Sequence, residues 1–352
     1  MSPQFTPTVD PTGGSQFGNS YITAWVNCPR DWYNLFKRPT LGPTGELLGT
    51  GLTAGSTSIH LLLGRVFHDG IAAWYESGVR DGTDTGERSI DQAMEAALAT
   101  FKSVENDFEK PEMADESWTR NEVMLRAYHD RYGPESHSPE FPTVQVMCDA
   151  EGLPLVEREW KAQLSPGYVY TCRTDLIITH HGLLKTMEHK TTSPYGVRAR
   201  RTEMDMDSQF SGEYWILREC MPEMVLAGVL VNMVVKDRSA NSKFDVAERE
   251  TTIRTSEQLD RWQISCVHAL RGIDQACEAY DKLVEEGMEH SRAADYCFPD
   301  YGARTKQCYA YGGRCQYLDL CQQAGHEERV LPGYTTRFKV EQGTANQETQ
   351  GS

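Results

Sequence analysis

The chain has no long apolar run. Although 39% of its 352 residues are hydrophobic, no stretch approaches the roughly 18 consecutive apolar residues of a membrane span, so no membrane role is expected. The start, Met-Ser-Pro-Gln-Phe-Thr-Pro-Thr-Val-Asp-Pro, has neither a basic opening nor an apolar stretch. A secretory signal is therefore not expected, and a cytoplasmic setting is. Basic residues are also short, with 35 Lys and Arg against 51 Asp and Glu, a formal net charge of -16. That balance argues against a protein that coats nucleic acid nonspecifically, while leaving room for an enzyme with a locally basic channel. Tight Cys-x2-4-Cys pairs, the usual mark of zinc ribbons and fingers, are missing as well. No repeat of 20 to 50 residues is apparent.

What remains has the size of one elaborated domain or two modest ones, and is read as one α/β domain over residues 20–339. Residues 1–19, rich in Pro, Gly, Ser and Thr, and the polar, Gln-rich 340–352 read as disordered tails. A helical insertion is expected over about 58–135. Its first helix places Leu63, Phe67, Ile71 and Trp74 at helical spacing, its second opens on the cap-like Ser89-Ile-Asp-Gln, and a third covers about 116–132. Strands follow at about 154–163 and 168–190, then a helix after Asp207-Ser208, a buried valine-rich strand at 225–235 and a possible partner at 244–253. A long helix from about 256 to 286 comes next. The summary is a central mixed sheet flanked by helices.

The densest chemistry lies in Asp175-Leu-Ile-Ile-Thr-His-His-Gly-Leu-Leu-Lys-Thr-Met-Glu188-His-Lys190. His181-Gly182 supplies turn chemistry between two strand-like runs, and a two-residue turn there pairs positions summing to 363. Asp175 and Glu188 then face each other across the ladder with Cβ atoms roughly 4.5 to 5.5 Å apart, and Lys190 shares their face. Opposed like charges cost stability unless a cation sits between them. A Mg²⁺ or Mn²⁺ ion removes the objection, and a lysine beside it can orient or activate an attacking water. Taken alone, the same pattern also describes a solvated surface hairpin. Arg198, Arg200 and Arg201 follow closely as candidate phosphate contacts, or as an ordinary solvated run.

Ten cysteines without a secretion signal read as reduced thiols or metal ligands rather than disulfides. Cys308, Cys315 and Cys321, spaced x6 and x5 around Gly312-Gly313, look like ligands on a turn-rich loop within a segment of about 297–322. A fourth thiolate has two candidates, Cys28 near the start of the ordered body and Cys297. Cys148, Cys172, Cys220, Cys266 and Cys277 read as isolated buried thiols.

Together these residues resemble the RecB-like branch of the PD-(D/E)XK nuclease superfamily, specifically its iron-sulfur exonucleases, similar to CRISPR-associated and phage recombination nucleases. The likeness runs from Cys28 through Gly64-Arg-Val-Phe-His68, Asp175, Glu188-His-Lys190 and Gln209 to Cys308, Cys315 and Cys321. It implies a restriction-endonuclease-like core, a [4Fe-4S] cluster on Cys28, Cys308, Cys315 and Cys321 joining the N- and C-terminal parts, and Mg²⁺ or Mn²⁺ on His68, Asp175 and Glu188. It further implies a DNA exonuclease for single-stranded or end-containing DNA in recombination, repair or phage DNA metabolism, with Asp175, Glu188 and Lys190 as catalytic residues. The partner would be a recombination or annealing protein, and the setting the host cytoplasm for a phage-encoded chain. The alternative is a non-catalytic DNA-binding subunit of a recombination or CRISPR-adaptation-like complex. Two positions depart from the family pattern. Cys172 stands near the place of a glycine, and in the Q-x3-Y motif that touches substrate Gln209 is followed four residues on by Glu213. Tyr214 comes one residue late, a shift that turns it about 100° around a helix. Tyr309, Tyr311 and Tyr317 are aromatic candidates for base stacking or for packing near the cysteines.

Overall fold

The structure is a computed structural model and describes residues 17–44, 46–54, 59–104, 111–133, 144–193, 196–235, 247–300, 307–312, 314–322 and 333–339. Most of the two expected tails, 1–16 and 340–352, lies outside these residues, as does the start of the strand expected at 244–253.

In chain order the elements are α1 (Asn19–Asn27), α2 (Pro29–Trp32), β1 (Pro39–Leu41), β2 (Leu47–Ala54), α3 (Ile59–Glu76), β3 (Val79–Arg80) and β4 (Thr83–Asp84). Next come α4 (Ile90–Val104), α5 (Pro111–Tyr132), β5 (Gln145–Val146), β6 (Val156–Ser165), β7 (Tyr168–His180) and β8 (Leu183–Thr192). The chain continues with α6 (Gly196–Glu203), α7 (Ser208–Cys220), β9 (Leu226–Val235), β10 (Ala247–Thr252), α8 (Ser256–Glu285), α9 (His290–Cys297), α10 (Leu318–Gln322) and β11 (Tyr334–Lys339). A single domain over 20–339 was expected. By contacts the described residues group into two compact units, one within 1–21 and 56–268, the other within 22–55 and 269–352.

The first unit is α/β. Its sheet runs β10-β9-β8-β7-β5, with β6 also pairing β7. The β8–β9 pair is parallel and the others antiparallel, which makes the sheet mixed. A parallel pair needs a crossover, and α6 and α7 supply it. Helices α3, α4 and α5 cover one face. Their Leu62, Val66, Phe67, Ile71, Trp74, Ala97 and Tyr128 pack on Leu176, Ile178, Met187, Leu230 and Val234 of the sheet. Each large apolar side chain so buried contributes about 1.5–3 kcal/mol. On the other face Phe210 of α7 packs with Val229, Val231 and Met233. The cap expected at Ser89 forms, its Oγ accepting from the Gln92 N–H at 3.2 Å.

The second unit has its own three-stranded sheet, β1-β2-β11, which the sequence reading did not foresee. Tyr317 is fully buried and donates its hydroxyl to the Leu52 carbonyl at 2.5 Å. It is therefore a packing residue and not a platform for bases. Tyr309 is exposed, and the side chain of Tyr311 lies outside the described residues.

Candidate metal centre

The hairpin forms in the expected register. His181 and Gly182 carry φ of 54° and 72°, the two positive values of a type I′ turn, and the ladder pairs His180 with Leu183 through to Leu176 with Met187. Asp175 and Glu188 come next, but the ladder stops before them. The N–H of His189 donates instead to Asp175 Oδ2 at 2.7 Å.

On the other side of β7, Val156 pairs with Leu176 and Arg158 with Thr174, which sets Glu157 opposite Asp175. Glu157 has φ of 48°, a left-handed conformation that costs a non-glycine residue of order 1 kcal/mol or more. Three carboxylates, Glu157, Asp175 and Glu188, therefore stand in a row across three adjacent strands. Sequence reasoning missed Glu157.

His68 of α3 brings Nδ1 to 3.4 Å from Asp175 Oδ2. Ligand atoms of His68, Glu157 and Asp175 all lie within 4.8 Å of one another. The expected set was His68, Asp175 and Glu188. Glu188 lies outside the tight group because its Oε1 accepts from Lys190 Nζ at 2.6 Å and from Gln209 Nε2 at 2.7 Å. Its Oε2 is buried with no hydrogen-bond partner. A buried acceptor left unsatisfied costs about 1–3 kcal/mol, so this oxygen is available to a cation or a water beside Asp175.

Charge follows the same geometry. Burial and the neighbouring Asp175 push the Glu157 carboxyl up to about 8, against the opposing pull of Arg173. Burial lowers the His68 imidazole, but the Asp175 charge and hydrogen bond, with help from Glu188 and Glu157, outweigh it and raise the group to about 9. The Glu188 carboxyl is raised by burial and by Asp175. Burial alone would disfavour the Lys190 ammonium, yet Glu188 holds it above its ordinary value. His68, Glu157 and Asp175 thus offer an imidazole and two carboxylates that could hold a metal ion.

Helix α7 fixes the rim. Asp207 caps it by accepting from the Gln209 N–H at 2.8 Å, and Gln209 Oε1 accepts from Lys190 Nζ at 2.7 Å. Glu213, one turn on, takes the Gln209 amide at 3.0 Å and is fully buried. The expected rim partner, Tyr214, packs instead on the sheet near Phe210 and donates to the Leu226 carbonyl at 2.6 Å. That is the outcome of the one-residue shift around the helix. Arg198, Arg200 and Arg201 are exposed on α6, which buries no residue. Arg201 pairs with Glu250.

Cys28, Cys308, Cys315 and Cys321 all belong to the second unit. Burial chiefly raises the last three thiols, Cys315 to about 11 and Cys321 to about 12, and the Cys28 thiol adds to the effect on each. Cys297 instead acts on Cys277. Of the two candidates for a fourth ligand, Cys28 is thus the one that neighbours the others. Among the described residues the cysteines are not gathered into a cluster: no three of their sulfurs lie within 4.8 Å of one another.

No family model matches the chain and no curated protein matches it. Among solved structures, the crystal structure of SSO0001 is similar at 12% identity, covering 60% of this chain and 86% of that one, with a TM-score of 0.24. A likeness of that size carries no argument.

Proposed function

We propose that the chain is a Mg²⁺- or Mn²⁺-dependent DNA exonuclease of the RecB-like PD-(D/E)XK kind, acting on single-stranded or end-containing DNA. The observation that carries the reading is the group of His68, Glu157 and Asp175 within 4.8 Å, one strand from the Lys190–Glu188 pair. The acids lie on the inner strands β6, β7 and β8 of a mixed sheet flanked by helices, and a restriction-endonuclease-like core is part of the proposal.

Oxygen and imidazole donors suit a hard divalent cation. When bound, that ion supplies a water of lowered pKa and offsets charge on the phosphate. The chain's own residues do the rest. Asp175, Glu157 and His68 would hold the ion, and Glu188 would offer its spare oxygen. Lys190, fixed by Glu188 and Gln209, would supply a positive charge to orient the attacking water or a phosphate oxygen.

Cys28, Cys308, Cys315 and Cys321 belong to the same proposal as ligands of a [4Fe-4S] cluster that fastens the two sequence pieces of the second unit. An all-sulfur donor set suits iron-sulfur chemistry. No catalytic step passes through it. A recombination or annealing protein as partner and a cytoplasmic setting complete the proposal.

The test is digestion of end-labelled single- and double-stranded DNA by anaerobically prepared protein, with EDTA, Mg²⁺ or Mn²⁺. Metal-dependent digestion should fall at least about 100-fold in Asp175→Ala, Glu188→Ala and Lys190→Ala. Undiminished digestion by all three overturns the assignment. DNA binding without cleavage under both metals assigns the non-catalytic DNA-binding role instead.

A further inference from the structure

The sheet face beneath α3 and α5 is mostly apolar, with the buried His189 and Asn232 bonded to each other within it, and one corner of it is basic. There His180 of β7 and Lys185 of β8 alternate onto the same face as Ile178 and Met187. On β10, Arg249 stands opposite Asn232 and Thr251 opposite Leu230, which puts both on that face as well. Three basic residues and a threonine thus converge from three strands of a chain whose net charge is -16.

Among the described residues none of the three has an ion-pair partner. Lys185 is 8% exposed and donates only to Thr251 Oγ1, at 3.0 Å. Arg249 Nη2 reaches only the hydroxyls of Tyr75 and Tyr128, at 3.2 Å each. Its guanidinium lies 3.5 Å from the centre of the Tyr132 ring; of the two acids beside it in sequence, Glu250 pairs with Arg201 and the side chain of Glu248 lies outside the described residues. Arg249 Nε and His180 Nδ1 are buried without hydrogen-bond partners. Among the described residues no carboxylate contributes to the electrostatics of His180 or Lys185. Burial and the charges of Lys185, His181 and Arg249 push the His180 imidazole down to about 4.

Burying charge without a counter-charge is among the costlier arrangements in a protein. Cation–π contact with Tyr132 offsets only part of that cost. Elsewhere on this chain most arginines that make contacts have an acid beside them, such as Arg88 with Asp84. Among the described residues the corner has none, although Thr251 is exposed and His180 and Arg249 are only half-buried.

We infer that this corner is an oxyanion site that takes a phosphate group on Lys185, Arg249 and Thr251. The ligand is either free phosphate or pyrophosphate, or a phosphate at the end of a nucleic acid strand. Thr251 Oγ1 supplies a neutral donor, Lys185 a point charge and Arg249 a planar one, the mixture that tetrahedral oxyanions favour. The inference is independent of the proposed nuclease activity.

The experiment is calorimetric titration of the full chain with pyrophosphate, in EDTA so that no divalent cation is present. Parallel arms use an oligonucleotide carrying or lacking a terminal phosphate. Lys185→Gln and Arg249→Gln should each weaken pyrophosphate binding at least about tenfold, the worth of one charge-assisted hydrogen bond. Lys190→Gln, at the metal centre, should not. Arg249 also ties Tyr75 to Tyr128, so a failure of Arg249→Gln to fold leaves Lys185→Gln, which breaks only one bond to an exposed threonine, to decide. A gain in oligonucleotide affinity from the terminal phosphate, lost in Lys185→Gln, identifies a strand end as the source. Pyrophosphate binding without such a gain identifies free phosphate. No binding by either ligand, equal binding by all variants, or a loss confined to Lys190→Gln overturns the site.

Discussion

The N–H of His189 donates to Asp175 Oδ2 at 2.7 Å, where a ladder continuing past Leu176 and Met187 would have placed a backbone partner. One carboxylate oxygen thus replaces a strand carbonyl. The same strand displays Glu188 and Lys190 on either side of His189, so the acid on β7 and the acid-lysine pair on β8 are locked in register by a single bond.

The His189 ring is anchored below. Asn232 Nδ2 donates to His189 Nδ1 at 2.6 Å and to the Tyr128 hydroxyl at 3.1 Å, and burial keeps the imidazole neutral, down to about 3. Asn232→Leu removes both bonds inside the core. Urea unfolding should show a loss of about 1–3 kcal/mol, and Mn²⁺ affinity should fall with it.

Glu157 and Glu188 should separate in a metal titration. Glu157→Gln removes a member of the tight group and is expected to weaken Mn²⁺ binding at least about tenfold, as read by electron paramagnetic resonance. Glu188→Gln leaves that group intact, so its larger effect should fall on turnover.

Stability and metal affinity should depend on pH in opposite senses. In the metal-free protein Glu157 is raised from 4.5 to about 8 and His68 from 6.5 to about 9, so the folded state holds more protons than the unfolded one across that interval. The His68 contribution is fully present below pH 6.5 and is lost as pH rises through 9, and the folded state loses stability through Glu157 between 4.5 and 8. Thermal melts in EDTA should therefore fall from pH 6 to pH 9. An ion needs the carboxylate and the neutral imidazole, so Mn²⁺ binding at pH 7 should release protons and tighten as pH rises. Calorimetry in buffers of different ionisation enthalpy measures both.

Tyr214→Phe loses the bond to the Leu226 carbonyl and should cost about 1 kcal/mol of stability. DNA affinity should not change. A drop in affinity without a drop in stability would return Tyr214 to the substrate side.

For the cysteines the comparison is Cys28→Ala against Cys297→Ala. Iron content and broad visible absorbance of anaerobically purified protein should vanish in the first and persist in the second. Zinc in a colourless wild type would remove the iron-sulfur proposal.

The hairpin was legible because His181-Gly182 admits one turn type, and a two-residue turn leaves no freedom of register. Glu157 was not, for the converse reason. The β6–β7 ladder changes register between Gln163 and Ser165. Counting back from the Pro166-Gly167 turn would set Glu157 opposite Leu176 rather than Asp175, and a slip of one residue turns every side chain to the other face. The α3 stripe was readable from its period, since Leu63, Phe67, Ile71 and Trp74 are all buried. The β1-β2-β11 sheet was hidden because Leu47–Ala54 mixes glycine and threonine with few apolar residues and finds its second partner far along the chain.

That last pairing has a consequence for synthesis. Leu52 and Tyr317, joined by a hydrogen bond, are 265 residues apart, and β11 follows later still. A chain made from its N-terminus completes the sheet with Asp175 and Glu188 while β2 still waits for β11. The late strand closes a contact of very long range, so folding of the second unit should be the slow step of maturation and the stage at which a nascent chain most needs protection.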